Sequence, residues 1–310
     1  GKAFLGENTG KSEFVFATSD RVDEAFEISR AVKSKKYSYI RNFLPHLPLI
    51  QPNFYTDQSE IMQELLSLKE TASMTPEQKS MWLAKRFPEE LYDLEKDPFE
   101  TNNLAGNPDY YDILLEMRDE LKKWLLKTHD TGLIPEGYLL EHCDPQTAYE
   151  LAQNNDFFPV SDILKNNDVL LEESIDNRLL INNLKHINLL NRYWAAITLQ
   201  YLDNPSDGII NALNETLNDP SLYVRLAAAE TLCSYGQCNR ESQETILAGF
   251  RSEDLMIKLM AARIFELNKD NATAIHKEVE MIHKELCKEA EGKWKGYDLY
   301  ACWALNEAFT

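Results

Sequence analysis

The sequence lacks any apolar run that approaches the roughly 18 to 20 residues needed to span a bilayer. Its first residues also lack the charged segment followed by an apolar segment that marks a signal peptide. We therefore predict no membrane partner. The chain opens at Gly1 and leads at once into a patterned segment, which is unusual for a native N-terminus, so we expect it to be a piece of a longer protein.

Positive charge is scarce. Thirty-two Lys and Arg residues stand against 51 Asp and Glu residues, which gives a formal net charge of -19. Such a chain repels phosphate backbones and anionic lipid surfaces, so nucleic acid is excluded as an expected partner. The charge also argues against a broad electrostatic surface for polysulfated glycans, although a local cationic pocket is compatible with it.

Cysteine is sparse and irregularly placed. The five cysteines form no C-x-x-C pair, have no histidine at zinc-finger spacing, and are odd in number. This pattern predicts neither a disulfide framework nor a zinc site, and we expect most of the thiols to be small buried side chains. The five are Cys143, Cys233, Cys238, Cys287 and Cys302.

What is present is enough for a sizeable core. A length of 310 residues with 44% apolar composition predicts about two domains. The character of the sequence changes after Gly132-Leu133-Ile134-Pro135-Glu136-Gly137, beyond which the chain has little β signal. We therefore predict one domain over residues 1–137 and a second over residues 138–310.

The first half combines β and helical patterns. Residues 13–17 are β-prone, residues 28–32 and 37–42 read as a hairpin, and residues 90–94 read as a further strand. Helical spacing covers residues 59–68 and 108–127, and Thr75-Pro76-Glu77-Gln78 begins another helix, expected to end near residue 86. Strands followed by covering helices predict an α+β module with a small antiparallel sheet.

Two segments carry a family resemblance. The first contains F-V-F-A at 14–17, D-R-V-D-E at 20–24, R-A-V-K at 30–33 and Y-S-Y-I-R-N at 37–42. The second reads E-L-Y-D-L-E-K-D-P-F-E-T-N-N-L-A at 90–105. In order and spacing they resemble the C-terminal subdomain of type I, formylglycine-dependent sulfatases, and G-K-A-F-L-G at 1–6 resembles the segment that closes the catalytic domain. The resemblance covers about residues 1–137.

The resemblance implies a parent enzyme that hydrolyses sulfate esters, with sulfated carbohydrate as the expected substrate. Such enzymes use calcium and a formylglycine made within a C/S-x-P-x-R motif, and these groups belong to the large N-terminal domain. Here the nearest imitation is Cys143-Asp144-Pro145-Gln146-Thr147, which has Thr147 where arginine is required, so we interpret it as a turn and a helix start. We assign no catalytic residue, metal ligand or cofactor to this chain, and expect it to be inactive without the missing catalytic domain.

A share of the substrate pocket is the remaining expectation, since in the family the loop between the first strand and the hairpin approaches the active-site rim. Arginine can bind sulfate or carboxylate with two hydrogen bonds, and carboxylates accept hydrogen bonds from sugar hydroxyls. The alternative is that Asp20, Arg21 and Asp23 form ion pairs and turn hydrogen bonds that order their own loop, and that His46 has a structural role. The candidates are Asp20, Arg21, Asp23, Arg30 and His46. The resemblance also implies an extracytoplasmic or lysosomal setting.

The second half contains an internal repeat. Arg192-Tyr193-Trp194-Ala195-Ala196, Arg225-Leu226-Ala227-Ala228-Ala229 and Lys258-Leu259-Met260-Ala261-Ala262 follow one another at intervals of 33 residues, and a weaker copy includes Leu299-Tyr300-Ala301-Cys302. Helix pairs at this period predict an α-solenoid. The array resembles HEAT-type repeats, although its period is shorter than is typical for them.

Two hypotheses for the function remain open from the sequence. In the first, the chain is the non-catalytic portion of a sulfatase, and the helical array supports the sulfatase-like half. In the second, it is a stand-alone scaffold that binds a protein or glycan. Arrays of this kind commonly bind partners on a concave surface, so a protein partner there is compatible with both hypotheses.

Overall fold

The computed structural model describes residues 12–71, 73–83, 85–172, 175–293 and 295–309, with nothing stated for the side chain of Glu70. The described chain is mainly helical and contains a four-stranded sheet, which agrees with an α+β region. Over these ranges, none of the helices has the length and apolar character required to cross a membrane.

The sheet is antiparallel throughout, with the order β1-β2-β3-β4. Its strands are β1 (Val15–Ser19), β2 (Ser29–Lys33), β3 (Tyr37–Asn42) and β4 (Glu89–Asp93). The predicted hairpin is confirmed by β2 and β3. Its turn is closed by a hydrogen bond from Ser34 N to Tyr37 O at 2.9 Å and another from Tyr37 N to Ser34 Oγ at 2.9 Å.

One face of the sheet is covered by the long helix α4 (Tyr111–Thr128). Because side chains alternate along a strand, residues paired in register across the strands share a face. One such row faces the helix, and Phe16 at its edge stacks on Trp124 with ring centroids 4.9 Å apart. The helix buries four side chains on this side. The row is Phe16, Val32, Tyr39 and Leu91, and the helix residues are Leu114, Met117, Leu121 and Leu125.

Three short helices lie between β3 and β4: α1 (Phe54–Asp57), α2 (Glu60–Glu70) and α3 (Pro76–Ser80). Thr75 and Gln78 form the expected capping box at the start of α3. The prediction that this helix runs to about residue 86 is wrong, since it ends at Ser80. The helix has no buried residue, and a helix of this length without a packed face gains too little to extend.

The polar residues of the family-like segment that begins with β4 hold the following loop to the sheet. Asp97 Oδ2 accepts hydrogen bonds from Thr101 N and Asn102 N, each at 2.8 Å. Glu100 Oε1 lies 2.5 Å from Lys33 Nζ on β2. Asn103 Oδ1 accepts the backbone N–H of β4 residue Leu91 at 3.0 Å. In this structure these polar side chains therefore act as scaffold groups.

The second half is helical over its described residues. A 3₁₀ turn (Thr131–Leu133) leads into it, and the helices are α5 (Glu136–His142), α6 (Ala148–Ala152), α7 (Val160–Asp168), α8 (Asn177–Asn183), α9 (Leu189–Leu199), α10 (Asp207–Thr216), α11 (Leu222–Ser234), α12 (Arg240–Phe250), α13 (Leu255–Asn268), α14 (His276–Glu289) and α15 (Tyr297–Phe309).

The four repeat copies correspond to α9, α11, α13 and α15, and each of these helices packs on the next one in this series. Helices α10, α12 and α14 lie between them along the chain. Small side chains line the contacts and are completely buried, which allows the helices to approach closely. These small residues include Ala195, Ala196, Ala228, Ala229, Ala261, Ala262, Ala301 and Ala304.

A continuous apolar core joins the two halves of the chain. Trp194 of α9 is fully buried, its Nε1 donates to Leu133 O at 2.7 Å, and its ring meets Phe43 edge-on with centroids 6.2 Å apart. Arg41 of β3 reaches the helical half and donates from Nη2 to Asn167 O at 2.6 Å. The sheet and the helices therefore share one apolar core, to which residues before and after position 137 both contribute.

The expectation about the cysteines is wrong. Two disulfides are present, Cys233–Cys238 and Cys287–Cys302, while Cys143 is free. The chain turns back at Gly236 (φ 72) after α11, which brings the first pair together. The second pair links α14 to α15. Linear spacing does not reveal such a pairing, because it depends on how two packed helices are set against each other.

Candidate functional site

The loop between β1 and β2 is the segment that the family resemblance places near a substrate rim. It contains a tight turn in which Val22 N donates to Ala25 O at 3.0 Å and Ala25 N donates to Val22 O at 2.9 Å. Asp23 sits in this turn with φ 50, a left-handed conformation that aspartate tolerates better than most residues. The turn thereby presents the Asp23 carboxylate on a short, constrained backbone.

Arg21 joins this loop to the helical half. Its Nε lies 2.9 Å from Glu136 Oε2, and its Nη2 lies 3.3 Å from Glu136 Oε1. The guanidinium carbon lies 5.2 Å from the centre of the Tyr297 ring and 5.5 Å from that of Tyr300. Both rings belong to α15, so cation–π contacts add to the ion pair.

Glu136 is the shared acceptor in this group. Tyr297 donates its hydroxyl to Glu136 Oε1 at 2.6 Å, on the carboxylate that also pairs with Arg21. Burial raises the pKa of Glu136, but the hydrogen bonds from Arg21 and Tyr297 outweigh it and hold the pKa below its ordinary value. The carboxylate is therefore ionised at neutral pH.

Arg30 of β2 lies in a second ion cluster and its side chain is 0% exposed. Its Nη2 lies 2.8 Å from Asp20 Oδ1 and 3.1 Å from Asp130 Oδ1, and Nη1 donates to Ser19 O at 3.1 Å. A buried guanidinium needs such partners, because an unpaired charge in the interior is strongly destabilising. Asp20 remains partly open to solvent, with 48% of its side chain exposed.

His46 lies in a different place, in a cleft between the chain after β3 and the helical half. The cleft has an empty volume of about 440 Å³, which includes its opening to solvent. Burial, helped by the nearby charges of Arg86 and Lys85, lowers the pKa of His46 to about 3. The imidazole is therefore neutral. The lining residues include Phe26, Leu44, His46, Gln51, Tyr193, Ile197, Glu230 and Arg263.

Three of the lining residues occupy equivalent positions of the repeat. Ile197, Glu230 and Arg263 are spaced 33 residues apart and all face the cleft. The corresponding residue of the fourth copy, Trp303, stacks on Phe54 of α1, with ring centroids 5.1 Å apart. One position of each repeat is thus directed at the first half of the chain.

Arg263 is the main cation of this contact. Its Nη2 donates to Gln51 Oε1 at 2.9 Å, and its Nη1 lies 2.5 Å from Glu266 Oε2. Burial raises the pKa of Glu230 to about 7, against the opposing effects of a hydrogen bond with Gln200 and the charge of Arg263. The contact between the halves therefore contains a carboxyl group that titrates near neutral pH.

The residues that resemble a formylglycine motif serve another purpose here. Thr147 is the N-cap of α6, where it forms a capping box with Glu150, so the segment is a turn and a helix start as interpreted from the sequence. Within the described ranges, the group that could hold a metal consists of His283, Cys287 and Cys302. Imidazole and sulfur do not fit calcium, which takes oxygen ligands. We therefore derive no catalytic step through either group.

The structure brings Asp20 together with Arg30, places Arg21 and Asp23 beside α15, and puts His46 in the separate cleft. Four partners of these residues were not identified from the sequence: Asp130, Glu136, Tyr297 and Tyr300. Arg21 and Glu136 are 115 residues apart in the chain. No local spacing marks such a pair, since it exists only after the helical half packs on the loop.

Comparison with curated proteins shows that the chain is similar in sequence to sulfatases over about two fifths of its length. An ulvan-active sulfatase of Formosa agariphila is 39% identical over 141 residues, which are 45% of this chain and 24% of that protein. The N-sulphoglucosamine sulphohydrolase of Homo sapiens is 34% identical over 122 residues, which are 38% of this chain and 24% of that protein. The chain thus spans about a quarter of the length of these relatives. No protein-family profile matches it.

Proposed function

We propose that this chain is the C-terminal, non-catalytic portion of a sulfatase that hydrolyses sulfate esters of carbohydrates. The observation that carries the proposal is the similarity to two sulfatases, each matched over about a quarter of its length. The family-like segments at 14–42 and 90–105 support assignment to the C-terminal subdomain. Formylglycine and calcium would come from the catalytic domain of the parent, and its setting would be extracytoplasmic or lysosomal.

The helical half, in this proposal, is a HEAT-like α-solenoid over residues 138–310 that supports an α+β domain over residues 1–137. The 33-residue spacing and the packing of α9, α11, α13 and α15 in series support this interpretation. Residues at one repeat position, from Ile197 to Trp303, are directed at the first half. We infer that these repeat positions serve mainly to hold the sulfatase-like domain.

The five candidate rim residues differ in exposure and in their contacts, so we assign them different roles. Asp20 and Asp23 are the groups that we assign to contact with sugar hydroxyls, since Asp20 is partly exposed and Asp23 is half-buried in the tight turn between Val22 and Ala25. Arg21 and Arg30 are already engaged by carboxylates, and we assign them to positioning this loop. His46, neutral in the cleft, is assigned to the contact between the halves.

The expected partner is the missing catalytic domain. Several large apolar side chains are exposed on the first half, among them Val15 at 60% on the edge strand β1 and Phe99 at 86% in the loop after β4. Where exposed apolar side chains lie close enough to form one patch, another protein surface commonly covers them. We place the catalytic domain against this part of the sheet module.

The experiment compares the complete product of the source gene with this chain in a sulfate-release assay on sulfated oligosaccharides. We expect release by the complete protein and none by this chain alone. In the complete protein, Asp23→Asn should raise KM about tenfold through loss of a charged hydrogen bond, with kcat nearly unchanged. Asp207→Asn on α10 is the matched control, because Asp207 is an exposed aspartate on a helix away from the loop.

Absence of sulfate release from the complete protein would contradict the proposal and favour the alternative of a stand-alone scaffold. In that case, saturable binding of a protein or glycan to this chain is the property to measure. An unchanged KM in Asp23→Asn would contradict the assignment of the loop to the substrate rim while leaving the sulfatase assignment intact.

A further inference from the structure

The last two helices place four potential ligand side chains against one another. His283 and Cys287 are one turn apart on α14, and Cys302 and Asn306 are one turn apart on α15. Residues four apart lie on the same face of a helix, so each helix presents a pair to the other. Ligand atoms of His283, Cys287 and Cys302 all lie within 4.8 Å of one another.

Asn306 completes the group. Its Oδ1 lies 2.8 Å from His283 Nε2 and 3.9 Å from Cys287 Sγ. Once the Cys287–Cys302 disulfide is reduced, its two thiolates, the imidazole and the amide oxygen make up a set of four donors, carried as two pairs on facing helices. Thiolate and imidazole are the donors that zinc prefers, and zinc takes four ligands in tetrahedral geometry. The site is shielded, since Cys302 is buried and His283 stacks on Phe309 with centroids 5.2 Å apart.

The two disulfides differ in the potential metal ligands that surround them. Cys233 and Cys238 also form a disulfide, but the described residues provide no third His, Cys, Asp or Glu ligand close enough to form a metal-binding group with them. The Cys287–Cys302 pair therefore differs from the Cys233–Cys238 pair in having His283 and Asn306 beside it. The two pairs make a natural comparison within one molecule.

We propose that the reduced form of this protein binds one zinc ion between α14 and α15 through His283, Cys287 and Cys302, with Asn306 at the fourth position. In the oxidised form the two sulfurs are bonded to each other. A dithiol reductant gives two electrons and two protons to the Cys287–Cys302 bond and becomes a disulfide itself. Zinc then displaces the two thiol protons to solvent, and the neutral imidazole binds without losing a proton.

This site gives α15 a second means of attachment. In the oxidised form a covalent bond joins α15 to α14, and in the reduced form the zinc ion joins the same two helices. The attachment matters because α15 also carries Tyr297 and Tyr300, which contact Arg21, and Trp303, which stacks on Phe54. The helix can thus stay fixed in either redox state, independently of whether the parent is a sulfatase.

The test is a zinc titration of the whole chain, followed by calorimetry, after reduction with dithiothreitol and its removal under argon. We expect one zinc per reduced chain and no saturable binding to the oxidised chain. Asn306→Ala should weaken binding by at least about tenfold, because it removes the fourth ligand and also the side chain that hydrogen-bonds His283. His283→Gln should weaken it further while leaving the disulfide able to form.

The matched control is Cys233→Ser/Cys238→Ser, which should retain zinc binding, whereas Cys287→Ser/Cys302→Ser should lose it. Cobalt binding gives a second readout. The thiolate-to-cobalt charge-transfer band should appear in the reduced wild type and in reduced Cys233→Ser/Cys238→Ser, and should be absent from Cys287→Ser/Cys302→Ser. Circular dichroism checks that each variant folds. The proposal is overturned if the reduced wild type takes up no zinc, or if uptake survives both His283→Gln and Cys287→Ser/Cys302→Ser.

Discussion

Trp303 stacks on Phe54 with their ring centroids 5.1 Å apart and their planes inclined by 21°. Phe54 belongs to the first half of the chain, and Trp303 lies on α15, so this pair joins the first half to the helical half. Both rings lose contact with water on one face when they stack. The pair is therefore a sensitive position for testing whether the helical half supports the first half.

We predict that Trp303→Ala lowers the free energy of unfolding by about 2 kcal/mol, less than for a fully buried tryptophan. Tyr55→Ala is the matched control, since Tyr55 follows Phe54 directly but is 72% exposed, and should change stability by less than about 0.5 kcal/mol. Urea unfolding followed by circular dichroism measures both. Equal effects of the two substitutions would mean that the stacking does not join the halves.

A substitution at Gly132 tests how tightly the ion cluster around Arg30 is packed. A Cβ at this position would lie 1.9 Å from Arg30 Nη2 and 2.8 Å from Asp20 Oδ1. The buried guanidinium cannot move without breaking its ion pairs, so Gly132→Ala should destabilise the protein by about 2 kcal/mol. Gly106→Ala is the matched control, because nothing lies within 4 Å of its Cβ. A neutral Gly132→Ala in thermal unfolding would show that the cluster is loosely packed.

The ion pair between Arg21 and Glu136 should be measurable by a double-mutant cycle. Both side chains are partly exposed, so we predict a coupling free energy of about 1 kcal/mol for Arg21→Ala and Glu136→Ala, at the upper end for such pairs. High salt should reduce it. Arg178 and Asp176 form an exposed pair two residues apart and provide the comparison, with a smaller expected coupling. Equal couplings would remove the argument that Arg21 fastens the loop.

The contact between the halves should depend on pH through Glu230. Burial raises the pKa of this carboxyl from 4.5 to about 7, so the folded state holds a proton that the unfolded state releases. Its contribution to stability is fully present below pH 4.5 and is lost as the pH rises toward 7. We predict that Glu230→Gln flattens the fall in Tm between pH 5 and pH 8.

Glu280→Gln is the control for this pH dependence, because Glu280 lies on an exposed surface and its pKa is lowered by Lys284. That substitution should leave the slope of Tm between pH 5 and pH 8 unchanged. The same slope in wild type and Glu230→Gln would show that the carboxyl is ionised in the folded protein over this range.

Much of the local structure could be predicted from the sequence. The hairpin formed by β2 and β3, the cap at Thr75 and the position of α4 follow from alternation, capping residues and helical spacing, all of which act over a few residues. The end of α3 could not be predicted. A capping box starts a helix, but its length depends on a packing surface that the sequence does not display.

The candidate site was only partly predictable for the same reason. Arg21 and Arg30 could be selected because the family resemblance marks their loop. Their partners Glu136 and Asp130 lie about a hundred residues further on and carry no local signal. The disulfide between Cys287 and Cys302 was missed because it depends on how α14 packs against α15. The spacing of residues along the sequence does not show which residues far apart in the chain meet in the folded protein.

We propose above that this chain is the C-terminal portion of a sulfatase. The most direct measurement is the DNA sequence upstream of the codon for Gly1 in the source genome. We expect the reading frame to stay open upstream through a motif of Cys or Ser followed by x-Pro-x-Arg. A stop codon followed by a fresh start codon just before Gly1 would contradict it, and the function would then have to be sought in the chain itself.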